Sequence, residues 1–254
     1  MNSDISRLLQ EWPYDPKNPI RIIPADDGRS VLQVRLPLGI EQYELDGRPD
    51  GKTYKQHDTV LDEVNSRLQE HILQHAGDTG FSLTEDDMDR LQEEAILIYY
   101  RYLMLFQVSE YERVERDTGH NLRVCELMER YTDNTEARNS VLQFKPYILR
   151  MHAMAQIMLC MQSDQESKAG KIVEDTIQSI ESLEAIDSPA FQFERLRSLK
   201  YLYAVRKQIA DSVLPVNPVQ RLQQELSLAV AEENYERAAE LRDRLRNIGR
   251  DEGY

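Results

Sequence analysis

The chain has 254 residues, of which 41% are hydrophobic and 30% charged, so it is long enough for one or two domains with a buried core. The net charge is −14, and the chain therefore lacks the basic excess with which proteins neutralise phosphates, so direct nucleic-acid binding is not expected. No stretch is apolar enough to span a bilayer and the N-terminus has no secretory pattern, so we expect a cytoplasmic protein that binds no membrane.

Residues 1–57 are predicted to form a β-rich segment. A short helix over 4–10 is followed by three runs with strand character, at 20–23, 32–38 and 43–45. In the second run Leu32, Val34, Leu36 and Leu38 alternate with other residues at a period of two, which is typical of a strand with one apolar face. We predict a small antiparallel meander that is supported by helices, because so few short strands are marginal alone.

Residues 58–214 are predicted to form a helical body. Thr84 and Asp87 have the spacing of a capping box, and Ser188-Pro189 is well suited to begin a helix. Helices are predicted over 58–74, 84–108, 110–131, 136–162, 167–186 and 189–213. Because they follow one another as neighbouring pairs, they favour a tetratricopeptide-like array, with an irregular helical bundle as an equal alternative.

The two prolines of 214–218 separate a final unit, 218–254, which we predict to be a helical hairpin. Its first apolar stripe comprises Leu222, Leu226, Ala229 and Val230, and its second comprises Ala238, Leu241, Leu245 and Ile248. Two helices joined by a short turn should pack antiparallel. Helices this short are marginal in water, and the pair is too small for a core of its own. We therefore expect the remaining apolar surface to be buried against a second hairpin, and the alternative is a terminal hairpin that folds back on its own helical body.

The final unit resembles a known motif. The run with Leu222, Leu226, Asn234-Tyr235-Glu236, Ala238-Ala239, Leu241-Arg242-Asp243 and Leu245 is similar to the UVR motif of UvrB, UvrC, McsA and ClpC-type proteins. In that family the hairpin mediates contact between proteins. The implied partner-binding positions are Leu222, Leu226, Tyr235, Ala238, Ala239, Leu241, Arg242 and Leu245. The front of the chain, with WPYDP at 12–16, resembles bacterial proteins described only as UvrB/UvrC-motif-containing.

Candidate chemistry elsewhere in the sequence is sparse. His71 and His75 lie four residues apart on one helix face, but two histidines without a fixed third ligand favour a solvated face over a metal site. The run Tyr99–Tyr102 has the composition to stack a base, yet its apolar neighbours favour core packing. Cys125 and Cys160 are expected to be buried or half-buried free thiols. No GxxxxGK[ST], GxSxG, GxGxxG or HExxH occurs, so no cofactor, metal or catalytic residue is predicted.

The sequence therefore predicts a mainly α (α+β) protein with an N-terminal β-meander, a helical body and a C-terminal UVR hairpin. We expect a non-catalytic adaptor that binds another UVR-type hairpin, in an excision-repair or stress-protein setting, or a second copy of itself. The alternative is a small-molecule or nucleotide-processing enzyme whose site in the helical body has no recognisable motif. A deep pocket with several polar groups of shifted pKa would favour that alternative.

Overall fold

The computed structural model describes residues 4–213 together with Arg242. Two units divide the chain, Met1–Leu202 and Tyr203–Tyr254, and the contacts described below lie within the first. The strands are β1 Ile20–Pro24, β2 Ser30–Leu36 and β3 Gly39–Glu44. The helices are α1 Ser6–Glu11, α2 Val60–His75, α3 Glu85–Gln107, α4 Tyr111–Arg130, α5 Thr135–Leu142, α6 Lys145–Gln162, α7 Glu166–Glu181 and α8 Pro189–Val213. The mainly α class with a small N-terminal antiparallel sheet is confirmed, whereas the predicted segment boundaries at 57–58 and 214–218 stay predictions.

The three strands form an antiparallel sheet in the order β1-β2-β3, as the sequence predicts. Leu32 of β2 lies between Ile22 of β1 and Tyr43 of β3 in the register of the sheet. The turn between β1 and β2 contains Gly28, whose φ of +86° favours glycine because a Cβ is strained there. Local turn chemistry and strand character thus suffice to specify this meander.

The prediction that β2 has a single apolar face is wrong in part. Val31 and Arg35 are buried on one face and Leu32 and Val34 on the other, so both faces are covered. Leu38 is 92% exposed because the strand ends at Leu36 and a tight turn follows. Arg35 is accommodated by hydrogen bonds from its guanidinium to the carbonyl oxygens of the N-terminal segment and of the turn.

Local capping signals set the starts of two helices in the body. At α3, the Thr84 side chain accepts a hydrogen bond from the Asp87 N–H, and the Asp87 carboxylate accepts one from the Thr84 N–H. The predicted capping box is therefore confirmed. At α2, Thr59 accepts from the Asp62 N–H, and Ala76 ends the helix in the left-handed conformation with φ of +56°.

The predicted single helix over 136–162 is wrong, because the structure divides it into α5 and α6 around Gln143 and Phe144. Pro146 lies in the first turn of α6. A proline there donates no N–H and its ring clashes with the carbonyl four residues earlier, so a helix does not continue through this point but readily begins at it.

Two apolar clusters fill the body. One joins α2, α3, α4 and α5 through residues such as Val64, Leu91 and Met128. The other joins the sheet to α3, α4 and α6 through Leu32, Ile98 and Ala155. The helices between α2 and α7 range from 8 to 23 residues, so their lengths favour the irregular bundle over a regular repeat. No helix in the part of the chain that the structure describes is long and apolar enough to cross a membrane.

Candidate functional site

A cavity of about 420 Å³ lies among helices α3, α4, α5, α6 and α8. Helix α3 contributes Gln92, Ile96 and Tyr99, which share one face because residues three or four apart align along a helix. The break between α5 and α6 contributes Phe144, and α8 contributes Glu194 and Arg197. The site is therefore assembled from residues that are about one hundred positions apart in the chain.

Aromatic rings form much of the cavity wall. The Tyr99 ring lies 5.3 Å from that of Tyr100 and 5.9 Å from that of Tyr147, measured between ring centroids. Tyr100 is 48% exposed and lines the cavity together with Phe144, which is also exposed. Burial raises the pKa of Tyr147 above its ordinary value, so its phenol stays protonated at neutral pH.

The run Tyr99–Tyr102, for which core packing was favoured over base stacking, divides between two environments. Arg101 and Tyr102 are fully buried, and the pKa of Tyr102 is raised by burial. Tyr99 and Tyr100 line the cavity, and the buried Tyr102 also borders it. Core packing is therefore confirmed for Arg101 and Tyr102, while Tyr99 and Tyr100 present ring surface to a cavity.

Asn121 of α4 places a buried amide at the cavity wall. Its side chain is 3% exposed, and its Nδ2 donates a hydrogen bond of 2.9 Å to the carbonyl oxygen of Ala95. The reverse orientation of the amide would bring two acceptor oxygens together, so this bond fixes which atom is oxygen. The remaining Oδ1 is buried and has no hydrogen-bond partner among the described residues.

A second unsatisfied acceptor belongs to Glu194 of α8. Its Oε2 is buried without a hydrogen-bond partner among the described residues, while its Oε1 lies 3.8 Å from Nη1 of Arg197. Arg197 is more exposed than Glu194. Two residues of the cavity wall thus each have a buried acceptor that lacks a donor, and a third, Arg197, has a guanidinium that is partly open to solvent.

Arg150 of α6 lies behind the aromatic wall. Its guanidinium carbon is 5.1 Å from the Tyr147 ring centroid and 5.5 Å from that of Tyr201. Burial, reinforced by the positive charge of Arg197, lowers the pKa of Arg150. The two ring faces offset part of that cost, because an aromatic face attracts a cation.

A separate buried polar cluster joins α2, α3 and α4. Glu94 is fully buried, and its carboxylate accepts hydrogen bonds from the N–H groups of Val60 and Leu61 at 2.7 and 3.1 Å. Arg48 and His120 each place a nitrogen 3.2 Å from the same carboxylate. Because the Glu94 carboxylate accepts from the first N–H groups of α2, the cluster has a structural explanation in the body of the protein.

His71 and His75 lie side by side on α2. The His71 and His75 rings stack at 4.2 Å, and His71 Nε2 lies 3.1 Å from the Thr79 carbonyl oxygen. Within residues 4–213, no group of three or more His, Cys, Asp or Glu side chains is arranged to hold a metal ion.

Cys125 and Cys160 are free and buried, which confirms their prediction as buried thiols.

The predicted partner-binding positions fall almost entirely outside the described residues. This applies to Leu222, Leu226, Tyr235, Ala238, Ala239, Leu241 and Leu245. Arg242 is described, and it is helical and exposed. These eight assignments therefore stay predictions.

Sequence reasoning missed the cavity. Its one local signal was Asn121, an amide at a position of α4 that continues the buried stripe of Val114, Val124 and Met128. Gln92, Phe144, Glu194 and Arg197 give no such signal, because each is ordinary for its own segment.

Comparison with known proteins identifies one segment. Residues 217–251 match the family model described as the UvrB/uvrC motif. No curated protein and no solved structure matches the chain, so the resemblance of its front part to bacterial UvrB/UvrC-motif-containing proteins stays a prediction. The chain thus carries a UvrB/uvrC motif at its C-terminal end, in residues 217–251.

Proposed function

We propose that the protein is a non-catalytic cytoplasmic adaptor that binds another UVR-type hairpin through residues 218–254. The observation that carries this proposal is the match of residues 217–251 to the UvrB/uvrC motif. The partner is a UVR hairpin of an excision-repair protein such as UvrB or UvrC, of a stress protein, or of a second copy of this chain.

The size of the hairpin supports a role in binding. Its two apolar stripes end at Val230 and Ile248, and each lies on a segment near the length at which isolated helices are marginal in water. Ala238 and Ala239 have small side chains, which allow a partner helix to approach closely. Burial of a few hundred Å² of apolar surface, at about 25 cal/mol per Å², is sufficient to stabilise a four-helix arrangement.

The charge of the hairpin favours a protein partner over nucleic acid. Residues 219–248 contain five arginines against six acidic residues, so this segment has no basic excess. The five arginines are Arg221, Arg237, Arg242, Arg244 and Arg246, and the six acids are Glu225, Glu232, Glu233, Glu236, Glu240 and Asp243. Phosphate binding would require a basic footprint.

The enzyme alternative receives less support from the cavity. General acid–base catalysis is most efficient when the pKa of the catalytic group lies near the working pH. Burial raises the pKa values of Tyr102 and Tyr147, so both values lie further above neutral pH than that of an ordinary tyrosine. We therefore propose a non-catalytic role for this protein.

A direct binding measurement tests the adaptor proposal. The full chain is titrated against a synthetic peptide of residues 217–251 and against the UVR hairpins of UvrB and UvrC, with fluorescence anisotropy as the readout. We expect saturable binding to at least one hairpin, and loss of that binding when the chain is truncated after Val216.

Two full-length variants sharpen the measurement. Leu241→Glu places a charge in the second apolar stripe and is expected to abolish binding, whereas Glu240→Gln changes a neighbouring residue outside the stripe and is the matched control. Equal binding by the full chain and the truncated chain, or by the two variants, would contradict the proposal.

A further inference from the structure

We propose that the cavity among α3, α4, α5, α6 and α8 binds a planar heteroaromatic molecule that carries at least one N–H donor. The cavity-lining residues all precede Leu202, so this inference is independent of the adaptor function assigned to the C-terminal hairpin. The volume of the cavity indicates a small-molecule site, the aromatic rings around it indicate the class of ligand, and the unpaired acceptors indicate the N–H donor.

The size of the cavity matches a small molecule. Pockets for small ligands measure roughly 300–1,000 Å³, are mostly apolar, and place a few polar groups that fix the orientation of the ligand. The volume here is about 420 Å³, and most of the lining side chains are apolar or aromatic. This combination favours a compact, largely apolar ligand over a sugar or a free phosphate.

The rings around the cavity favour a flat aromatic ligand. Tyr99, Tyr100, Phe144 and Tyr147 come from α3, from the α5–α6 break and from α6, so ring surfaces border the cavity from more than one side. Tyr100 and Phe144 are large side chains that are about half exposed. A bound aromatic ring would cover both of them, and aromatic pairs gain additional energy from offset or edge-to-face contact.

The unsatisfied acceptors set the hydrogen-bond requirement. Buried polar atoms are nearly always paired, so each exception calls for a partner. Asn121 Oδ1 and Glu194 Oε2 are both buried, both belong to cavity-lining residues, and neither has a donor among the described residues. An N–H group of a ligand would supply the missing donor once either side chain turns toward the cavity, whereas a hydrocarbon of the same shape would leave the acceptors unpaired.

A pair of probe molecules isolates the donor requirement. Indole and 1-methylindole share the same ring system, but only indole has an N–H donor. Isothermal titration calorimetry with the full chain is expected to show saturable binding of indole. We expect indole to bind about fivefold or more tightly than 1-methylindole, because the methylated probe leaves a buried acceptor unpaired.

Variants assign the binding to this cavity. Asn121→Ala removes one acceptor and is expected to reduce the preference for indole to less than about twofold. Tyr100→Ala removes a partly exposed ring of the wall and is expected to weaken indole binding about fivefold or more, as loss of a stacking partner does. Tyr14→Ala removes an exposed tyrosine that does not line the cavity, and is the matched control with unchanged affinity.

The outcomes separate the proposal from its alternatives. Absence of indole binding, equal affinity for the two probes, or the same loss in Tyr100→Ala and Tyr14→Ala would each overturn it; the first result would indicate that water satisfies the acceptors. If Asn121→Ala does not fold, as judged by its thermal transition, the probe ratio and the Tyr100→Ala comparison still decide. Because no hairpin residue is altered, failure here would leave the adaptor proposal untouched.

Discussion

Arg101 of α3 and Asp117 of α4 form a two-bonded ion pair in the interior, with N–O distances of 2.7 and 2.8 Å and 2% exposure of each side chain. The remaining guanidinium nitrogen, Nη1, donates to the carbonyl oxygens of Glu44 and Gly47 at 2.9 and 2.8 Å. One buried arginine therefore joins two helices to the end of the sheet. Its planar group satisfies both the carboxylate and the backbone, which a lysine would not do.

Removal of the acidic partner should destabilise the protein strongly. We expect Asp117→Ala to lower the free energy of unfolding by about 3–5 kcal/mol, because it leaves the Arg101 charge buried and unpaired. Urea unfolding followed by circular dichroism measures the change. Glu11→Ala, in the exposed Arg7–Glu11 pair, is the control and should leave the midpoint unchanged. A loss below about 1 kcal/mol in Asp117→Ala would contradict the importance of this pair.

Acid should weaken the attachment of α2 to α3 through Glu94. Burial raises the pKa of the Glu94 carboxyl. The contact with His120 and the hydrogen bonds from the N–H groups of Val60 and Leu61 lower it by more, so the pKa of Glu94 lies below its usual 4.5. A carboxyl whose pKa is lower in the folded state stabilises the protein fully above its unfolded pKa, and this contribution is lost as the pH falls through the folded pKa. The free energy of unfolding should therefore fall as the pH drops below 4.5.

A charge-neutral substitution tests that assignment. Glu94→Gln should lower stability near neutral pH and reduce its dependence on pH in the acid range, because glutamine does not titrate. Glu93→Gln changes the exposed neighbour and should preserve the parent profile. Urea unfolding at a series of pH values provides the comparison, and equal profiles for the two variants would show that Glu94 is not the group responsible.

The unpaired Oδ1 of Asn121 should lower the stability of the protein. Asn121→Leu removes the unpaired Oδ1 at the expense of the bond to the Ala95 carbonyl, and we expect a gain of about 1 kcal/mol. Thermal unfolding measures the change, with Gln92→Leu at the same cavity as a control. Substantial destabilisation of Asn121→Leu alone would indicate that Oδ1 is already hydrogen-bonded in solution.

The two thiols should be inert in the folded protein. Both Cys125 and Cys160 are buried, and burial raises the pKa of Cys125 to about 12, so little Cys125 thiolate forms at pH 8. Ellman's reagent should label neither thiol in the native protein and both in guanidinium chloride. Rapid labelling of the native protein would contradict the burial of these residues.

Much of the fold could be predicted because its signals are local. Thr84 and Asp87 are three residues apart, and their capping box begins α3 where the sequence predicts. The same is true of Pro189, which begins α8. The division of α5 from α6 was missed although Pro146 marks it, since the apolar periodicity continues across the break.

The candidate cavity could not be predicted in the same way. Gln92, Asn121, Phe144 and Arg197 belong to different segments, and no short-range pattern links them. The unpaired state of Asn121 Oδ1 depends on which backbone carbonyl the Nδ2 of the same amide meets on α3. Such a relationship exists only after the helices have packed.

The sequence by itself determined the helices, the small sheet and the UvrB/uvrC motif of residues 217–251. These features depend on caps, turns and the spacing of apolar residues. Such signals arise from interactions between residues that are close together in the chain. Only the tertiary structure decided that both faces of β2 are covered, that Arg101 pairs with Asp117, and that a cavity with two unpaired acceptors lies among five helices. Packing decides these features because burial and hydrogen-bond satisfaction depend on neighbours contributed by distant segments.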